Sequence, residues 1–337
     1  VPVERGLEGA RAPTESCPRL SRPPRPIYHE AIVSVEDFMA GLIRGIALGG
    51  ALLFAAAGAA AQDGAPPPAG ESDIVVTGQD IDQQLRDFVG ALTQAPPRGQ
   101  LSRFERAVCP AAIGLPPGQK QAVVTRIRRV AQAAGLEVGG ARCIPNVLLM
   151  VTSDKRAFLE ALARKYDYYF GDLSLKQMRR LVHQPGPATA WQLEGPPLDA
   201  DGVELGQGGE AEYSVNRTNR MPSRVTEAAR PQFQAAAVVV EARSLAGLTT
   251  IQLADYAAMR AFAHTDPARL PAGSPPTILK ILDAPMGSEV PVTLTAWDIS
   301  FLKALYASSA NLHAASQRAE MRRRMAKDLQ RAQERGE

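Results

Sequence analysis

Ala235-Ala236-Ala237-Val238-Val239-Val240-Glu241-Ala242 is the stretch that decides the fold. It is a short, unbroken apolar run with three β-branched residues, the pattern of a strand buried on both sides. Seven residues on, Thr249-Thr250-Ile251-Gln252 forms a capping box, in which a threonine hydroxyl and a glutamine three positions later satisfy each other's backbone N–H groups. Ile251, Ala254, Ala258, Ala261 and Phe262 then recur at helical spacing. A buried strand feeding a buried helix predicts an α+β core in the C-terminal half.

Working outward toward the N-terminus, the same logic predicts further elements. Helices are expected over Ile81 to Leu92, Gln119 to Ala134 with Gly135 as its stop, from Ser153 or Asp154 through Tyr166, and over Ser174 to His183. Leu136 to Val138 and Asn146 to Thr152 read as strands. In the second helix Val123, Ile127 and Val130 face inward, and Arg126, Arg128 and Arg129 are expected to face water. Gln184 to Gly209 is dense in Pro and Gly and reads as irregular connection, with Trp191 its one large apolar anchor. Glu212 to Thr218 and Ser223 to Val225 read as short edge strands. Toward the C-terminus, a short helix is expected over Thr277 to Asp283. Thr295-Ala296-Trp297-Asp298 is a second capping box, opening a helix with Phe301, Leu302 and Leu305. Ala314 to Arg335 is a last helix, rich in arginine and thin in apolar residues, expected to lie as a frayed, solvated tail.

The chain has 337 residues, 45% apolar and 22% charged, with a net charge of +3. That is ordinary globular composition, with ample chain for a core. The first sixty residues are different. Met39, Arg44, the apolar run Gly45 to Ala57 and Ala59-Ala60-Ala61 have the order of a secretory signal with its cleavage site. The expectation is export to the periplasm or beyond, with residues 39–61 removed. Residues 1–38 would then be an upstream, disordered extension from a start codon set too early, and residues 62–78 a linker. The remaining divisions expected are an α+β region over 79–192, an irregular connection over 193–232, a strand–helix region over 233–310 and a basic helix over 311–337.

Export bears on the cysteines. Of Cys17, Cys109 and Cys143, only the last two lie beyond the signal, and an oxidising compartment predicts that they pair.

Chemistry-bearing motifs are sparse. His183, His264 and His313 have no His-x-x-x-His spacing, and no Gly-x-Ser-x-Gly elbow or Walker loop occurs. No catalytic residue, cofactor or metal is therefore assigned. Asp255, on the central helix, reads as a solvated side chain. The most aromatic stretch, Tyr166, Tyr168, Tyr169 and Phe170, together with Trp191, is the candidate ligand groove. The arginines of the second helix read as a solvated face, so nucleic acid is not an expected partner. The basic last helix could meet an anionic membrane surface.

Two stretches carry a resemblance: Gln100-Leu101-Ser102-Arg103-Phe104-Glu105-Arg106-Ala107-Val108-Cys109-Pro110, and Gln252 to Arg260 taken with Leu294 to Tyr306. Over residues 74–315 the chain resembles a family of uncharacterised exported proteins of alphaproteobacteria. The second stretch is more distantly similar to secreted zincin-like, metallopeptidase-like domains. That resemblance implies a strand followed by a zinc-binding helix, but Thr249 to Ala263 has no histidine, so it implies a non-catalytic relative. The leading expectation is an exported envelope protein that binds an unknown protein or small ligand. The competing one is a hydrolase whose site brings His183 or His264 together with an acidic partner from afar in sequence.

Overall fold

The computed structural model describes residues 78–93, 99–171, 173–205, 221–224, 226–285 and 287–335. The upstream extension, the signal, nearly all of the linker and the strand expected at Glu212 to Thr218 lie outside them.

The chain begins with α1 (Gly78–Leu92), which buries Leu85, Phe88, Val89 and Leu92 along one stripe. Two short strands follow, β1 (Arg103–Phe104) and β2 (Pro110–Ile113). Then comes α2 (Pro117–Ala134), opened by a proline in its first turn and closed by Gly135 at φ 89°, as its sequence predicts. β3 (Val147–Thr152) leads to α3 (Lys155–Lys165), whose cap is Asp154, accepting from the Ala157 N–H at 2.9 Å. A 3₁₀ turn over Asp167–Phe170 carries the aromatic run into α4 (Leu175–Val182), started by a capping box of Ser174 and Gln177. β4 (Ala188–Glu194) is next, then the small pair β5 (Leu198–Asp199) and β6 (Ala229–Arg230). The central strand is β7 (Gln232–Glu241). α5 (Thr250–Phe262) and α6 (Ala296–Ala307) start at the two expected capping boxes, and α7 (Ala314–Arg335) ends the described chain.

The fold is α+β with a mostly parallel sheet. β2, β3 and β7 run parallel and adjacent, with Val147 opposite Ala236 and Leu149 opposite Val238. β1 runs parallel beside the start of β7, Phe104 opposite Phe233. β4 runs antiparallel along the other side of β7, from Ala188 opposite Val240 to Leu193 opposite Ala235. The strand thus inserted between β3 and β4 joins residues from both of the stretches read as separate regions.

Both faces of β7 are covered, which is why it reads as continuous apolar sequence rather than alternation. Ala236, Val238 and Val240 pack with α1, α2, α5, α6 and α7 on the first face. Ala235, Ala237 and Val239 pack with α3, the 3₁₀ turn and α4 on the second.

Cys109 and Cys143 form a disulfide, Cα atoms 6.0 Å apart. It ties the start of β2 to the loop before β3. Gly139 sits so close that a Cβ there would lie 2.7 Å from Cys143 Cβ, so only glycine fits. Arg128 clamps this loop, donating to the Gly139 and Gly140 carbonyls at 2.6 and 3.2 Å.

Several expectations need correction. Arg126 and Arg128 do not simply face water. Asp255 is not solvated: it is fully buried. Its carboxylate takes two bonds from Arg126 (2.6 and 3.0 Å), one from the Thr293 hydroxyl (2.7 Å) and one from the Leu294 N–H (3.0 Å). The stretch read as irregular contains β4. The short helix at 277–283 is a single 3₁₀ turn, Ile278–Lys280. The last helix is not a frayed tail, because Met321 and Met325 are fully buried against the first-face core.

Candidate functional site: the cleft beside the edge strand

Among the described residues, β4 pairs with β7 on one side and with no strand on the other. The Glu241 N–H bonds the Pro187 carbonyl at 2.9 Å, which fixes the phase of the antiparallel ladder. Its bonded pairs continue at Thr189, Trp191 and Leu193, so Ala188, Ala190 and Gln192 turn their N–H and C=O groups away from the sheet. No described residue pairs with those outward groups.

At the Glu194 end of this edge lies a cleft of about 310 Å³. Gln192, Leu193 and Glu194 form its base, Phe170, Leu173 and Gln177 one wall, and Phe233 and His264 the other. A register shift between Leu193 and Glu194 creates the shape. One extra β7 residue, the exposed Gln234, sits there and turns Phe233 toward the first face while Ala235 stays on the second. Bulges characteristically re-aim a side chain at a sheet edge.

The walls are held by specific bonds. Trp191 donates its indole N–H to the Tyr169 carbonyl at 2.8 Å and stacks on Phe170 at 5.3 Å between centroids. This pins the 3₁₀ turn to β4. Gln192 donates its amide to the Arg260 and Ala263 carbonyls at 2.7 and 3.2 Å, capping the C-terminus of α5 and setting the position of His264.

The polar groups of the cleft are Gln177, Gln192, Glu194 and His264. Glu194 is exposed and accepts from the Ser102 hydroxyl at 2.8 Å. The His264 ring reaches solvent, yet the protein packed around it pushes its pKa below the ordinary histidine value; Glu194 opposes that shift and Arg260 reinforces it. A neutral imidazole beside a carboxylate leaves the cleft with net negative charge at neutral pH.

This constellation brings one sequence-level candidate, His264, together with an acid, and the acid with a serine. It does not make a relay. In a Ser–His–acid triad the histidine bridges serine and carboxylate, whereas here serine bonds the carboxylate directly and His264 hydrogen-bonds neither. His183 is exposed at the end of α4, and His313 Nδ1 lies 3.1 Å from Glu227, far along the chain from the cleft residues. Among the described residues no group of three or more His, Cys, Asp or Glu could hold a metal ion.

Of the five aromatic residues read as a groove, Phe170 lines the cleft. Tyr169 and Trp191 are interior supports, 4% exposed each. Tyr168 stacks on Tyr169 at the surface, and Tyr166 packs edge-on to both. Gln177, Gln192, Glu194 and Phe233 were not singled out from sequence. The alternation in Thr189-Ala190-Trp191-Gln192-Leu193-Glu194 carried a strand signal, masked by the Pro and Gly around it.

No family model, no curated protein and no solved structure matches this chain.

Proposed function

We propose that this is a non-catalytic binding protein of the cell envelope, and that its cleft receives an extended peptide segment that adds to the edge of β4. One observation carries the reading. The outward N–H and C=O groups of Ala188, Ala190 and Gln192 have no described partner, and Gln192 lines a cleft whose walls carry Phe170, Leu173 and Phe233. A peptide strand satisfies such groups through main-chain bonds, while pockets beside the edge select its side chains. Glu194 favours a basic residue on the peptide. Export is supported by the Cys109–Cys143 bond, which persists in oxidising compartments, and by the signal-like order of residues 39–61.

The test is selection from displayed random heptapeptides, followed by hydrogen exchange. Binding peptides should slow exchange at the Ala190 and Gln192 amides. Ala190→Pro removes one outward N–H and leaves the ladder to β7 intact, because proline is tolerated at an edge where its nitrogen faces out. It should abolish binding without unfolding the protein. Peptides that bind Ala190→Pro as well as wild type would overturn strand addition.

A second reading, a hydrolase, is favoured by Ser102, Glu194 and His264 lying close together. It requires that bound peptide be cleaved and that Ser102→Ala stop the cleavage.

A further inference from the structure

The sequence marks α7 as basic, and its folded position gives that charge a shape. Met321 and Met325 turn into the core. A flanking stripe of the helix faces α6 across a groove of about 500 Å³. Five cations line it, Lys303 from α6 and Arg323, Arg324, Lys327 and Arg331 from α7, against two carboxylates, Glu320 and Asp328. The lining therefore carries a net charge of +3.

Both carboxylates already have partners. Glu320 accepts from the Arg324 guanidinium at 2.7 Å and from the Ser309 N–H at 3.0 Å. These donors hold its pKa below the usual glutamate value, the Ser309 bond foremost. Asp328 lies 3.5 Å from Arg331. Lys303, Arg323 and Lys327 make no hydrogen bond or close ion pair with any described residue, and Arg323 acts on Glu320 only through its charge. Three cations are thus left facing one groove, on helices fixed by the core. Like charges gathered this way repel one another unless an anion sits among them.

We infer that the groove between α6 and α7 is a binding site for a phosphate-bearing anion. Phosphate is the fitting chemistry because it offers several acceptor oxygens and more than one negative charge, matched by an arginine fork and by lysine ammonium groups. Small Ala304 and Ala307 on the α6 side leave room for such a group. The phosphate could belong to a soluble ester or to a lipid headgroup. The lipid case would be headgroup capture rather than helix insertion, since the apolar residues of α7 are spent on the core.

The experiment uses the full chain and the triple variant Lys303→Gln, Arg323→Gln, Lys327→Gln. These residues are exposed, and the variant should melt with the wild type. Pyrophosphate binding is measured by calorimetry at low and high salt. Co-sedimentation is measured with phosphatidylglycerol vesicles and with phosphatidylcholine vesicles. Pyrophosphate binding that weakens about tenfold or more in the variant and falls with salt supports the site with a soluble source. Binding only to phosphatidylglycerol vesicles, lost in the variant, supports it with a headgroup source. Absence of binding to both probes, or binding that the variant leaves unchanged, overturns it.

Discussion

The two faces of the sheet are built differently. The first face gathers α1, α2, α5, α6 and α7 from both ends of the described chain, and it is stitched with buried polar groups. Arg126 and Asp255 link α2 to α5 and to the loop before α6. Asp298 accepts from the Thr277 hydroxyl, the Ile278 N–H and the Thr295 N–H, tying the 3₁₀ turn at 278–280 to α6. Burial raises its pKa, and those donors oppose the rise. Arg103 donates to the Leu305 and Ser308 carbonyls at 2.8 Å, closing the end of α6. The second face is short-range. α3, the 3₁₀ turn and α4 follow one another in sequence and pack through Phe158, Phe170, Trp191 and aliphatic residues. Segments that return from far along the chain are fixed mainly by directional bonds, whereas the second face relies mainly on shape, with the Lys155 bonds to the Gln184 and Gly186 carbonyls and the Trp191 bond to Tyr169 beside it.

The most severe test of that difference is Asp255→Ala. It strips the carboxylate from Arg126, the Thr293 hydroxyl and the Leu294 N–H together. The expected cost is about 3–5 kcal/mol, because a partly buried guanidinium is left uncompensated. Chemical denaturation measures it, and the double change Arg126→Met, Asp255→Leu should recover much of the loss. If Asp255→Ala costs less than a surface substitution, the polar stitching is decorative.

Reduction of Cys109–Cys143, or its replacement by a pair of alanines, frees a loop with a sequence separation of 34. Loop-closure entropy sets the expected loss at about 3–4 kcal/mol. It should weaken both faces alike, since β2 and β3 contribute side chains to each. Hydrogen exchange on the two sets of helices reads this out, and a loss confined to one face would redraw the comparison.

On the second face Trp191→Phe keeps the ring stack on Phe170 and removes only the bond to the Tyr169 carbonyl. The expected cost is about 1–2 kcal/mol, smaller than for Asp255. A cost equal to that of Asp255→Ala would mean that this face, too, depends on directional bonds.

The smallest effect is set by pH. Burial raises the pKa values of Tyr168 and Tyr169 beside the second face and of Tyr256 and Tyr306 on the first. In the unfolded chain each phenol ionises near pH 10, while in the fold each stays protonated to higher pH. Their stability contribution is complete below about pH 10 and is lost as pH rises beyond it. Lys155 acts in the opposite sense. Burial lowers its pKa despite nearby Glu241, so its contribution improves as pH rises toward its unfolded value. With four phenols against one lysine, unfolding should become easier above about pH 10, and the denaturation midpoint followed by helical circular dichroism should fall between pH 9 and pH 11. A denaturation midpoint that is the same at pH 9 and pH 11 would contradict it.

These contrasts also explain what was legible in the sequence. Capping residues such as Ser174, Thr249 and Thr295 act within four positions, so helix starts were readable. β7 was readable because burial on both faces makes its sequence uniformly apolar. Asp255 was misread because its partner Arg126 is 129 positions away, and no local pattern announces such a pair. The cleft was the hardest part. It gathers the 3₁₀ turn, α4, β4, β7 and His264 just past α5 around a bulge, and only Phe170 of the predicted groove lies on it. Trp191 drew attention as a large anchor, and it is buried behind the wall, bonded to the Tyr169 carbonyl and stacked on Phe170.

The position of β7 has a consequence for how the chain is made. Its two long neighbours, β3 and β4, both precede it, so during synthesis they emerge with a vacant slot between them. Until residue 241 has appeared, both strands present bare edges, and the apolar side chains of both cores lack their common partner. A nascent chain in that condition is prone to pair with other chains. The helices that cover the first face, α5 to α7, arrive later still. Completion of the sheet is therefore a late event, and a fragment ending before Gln232 is expected to collect as aggregate rather than persist as a smaller folded protein.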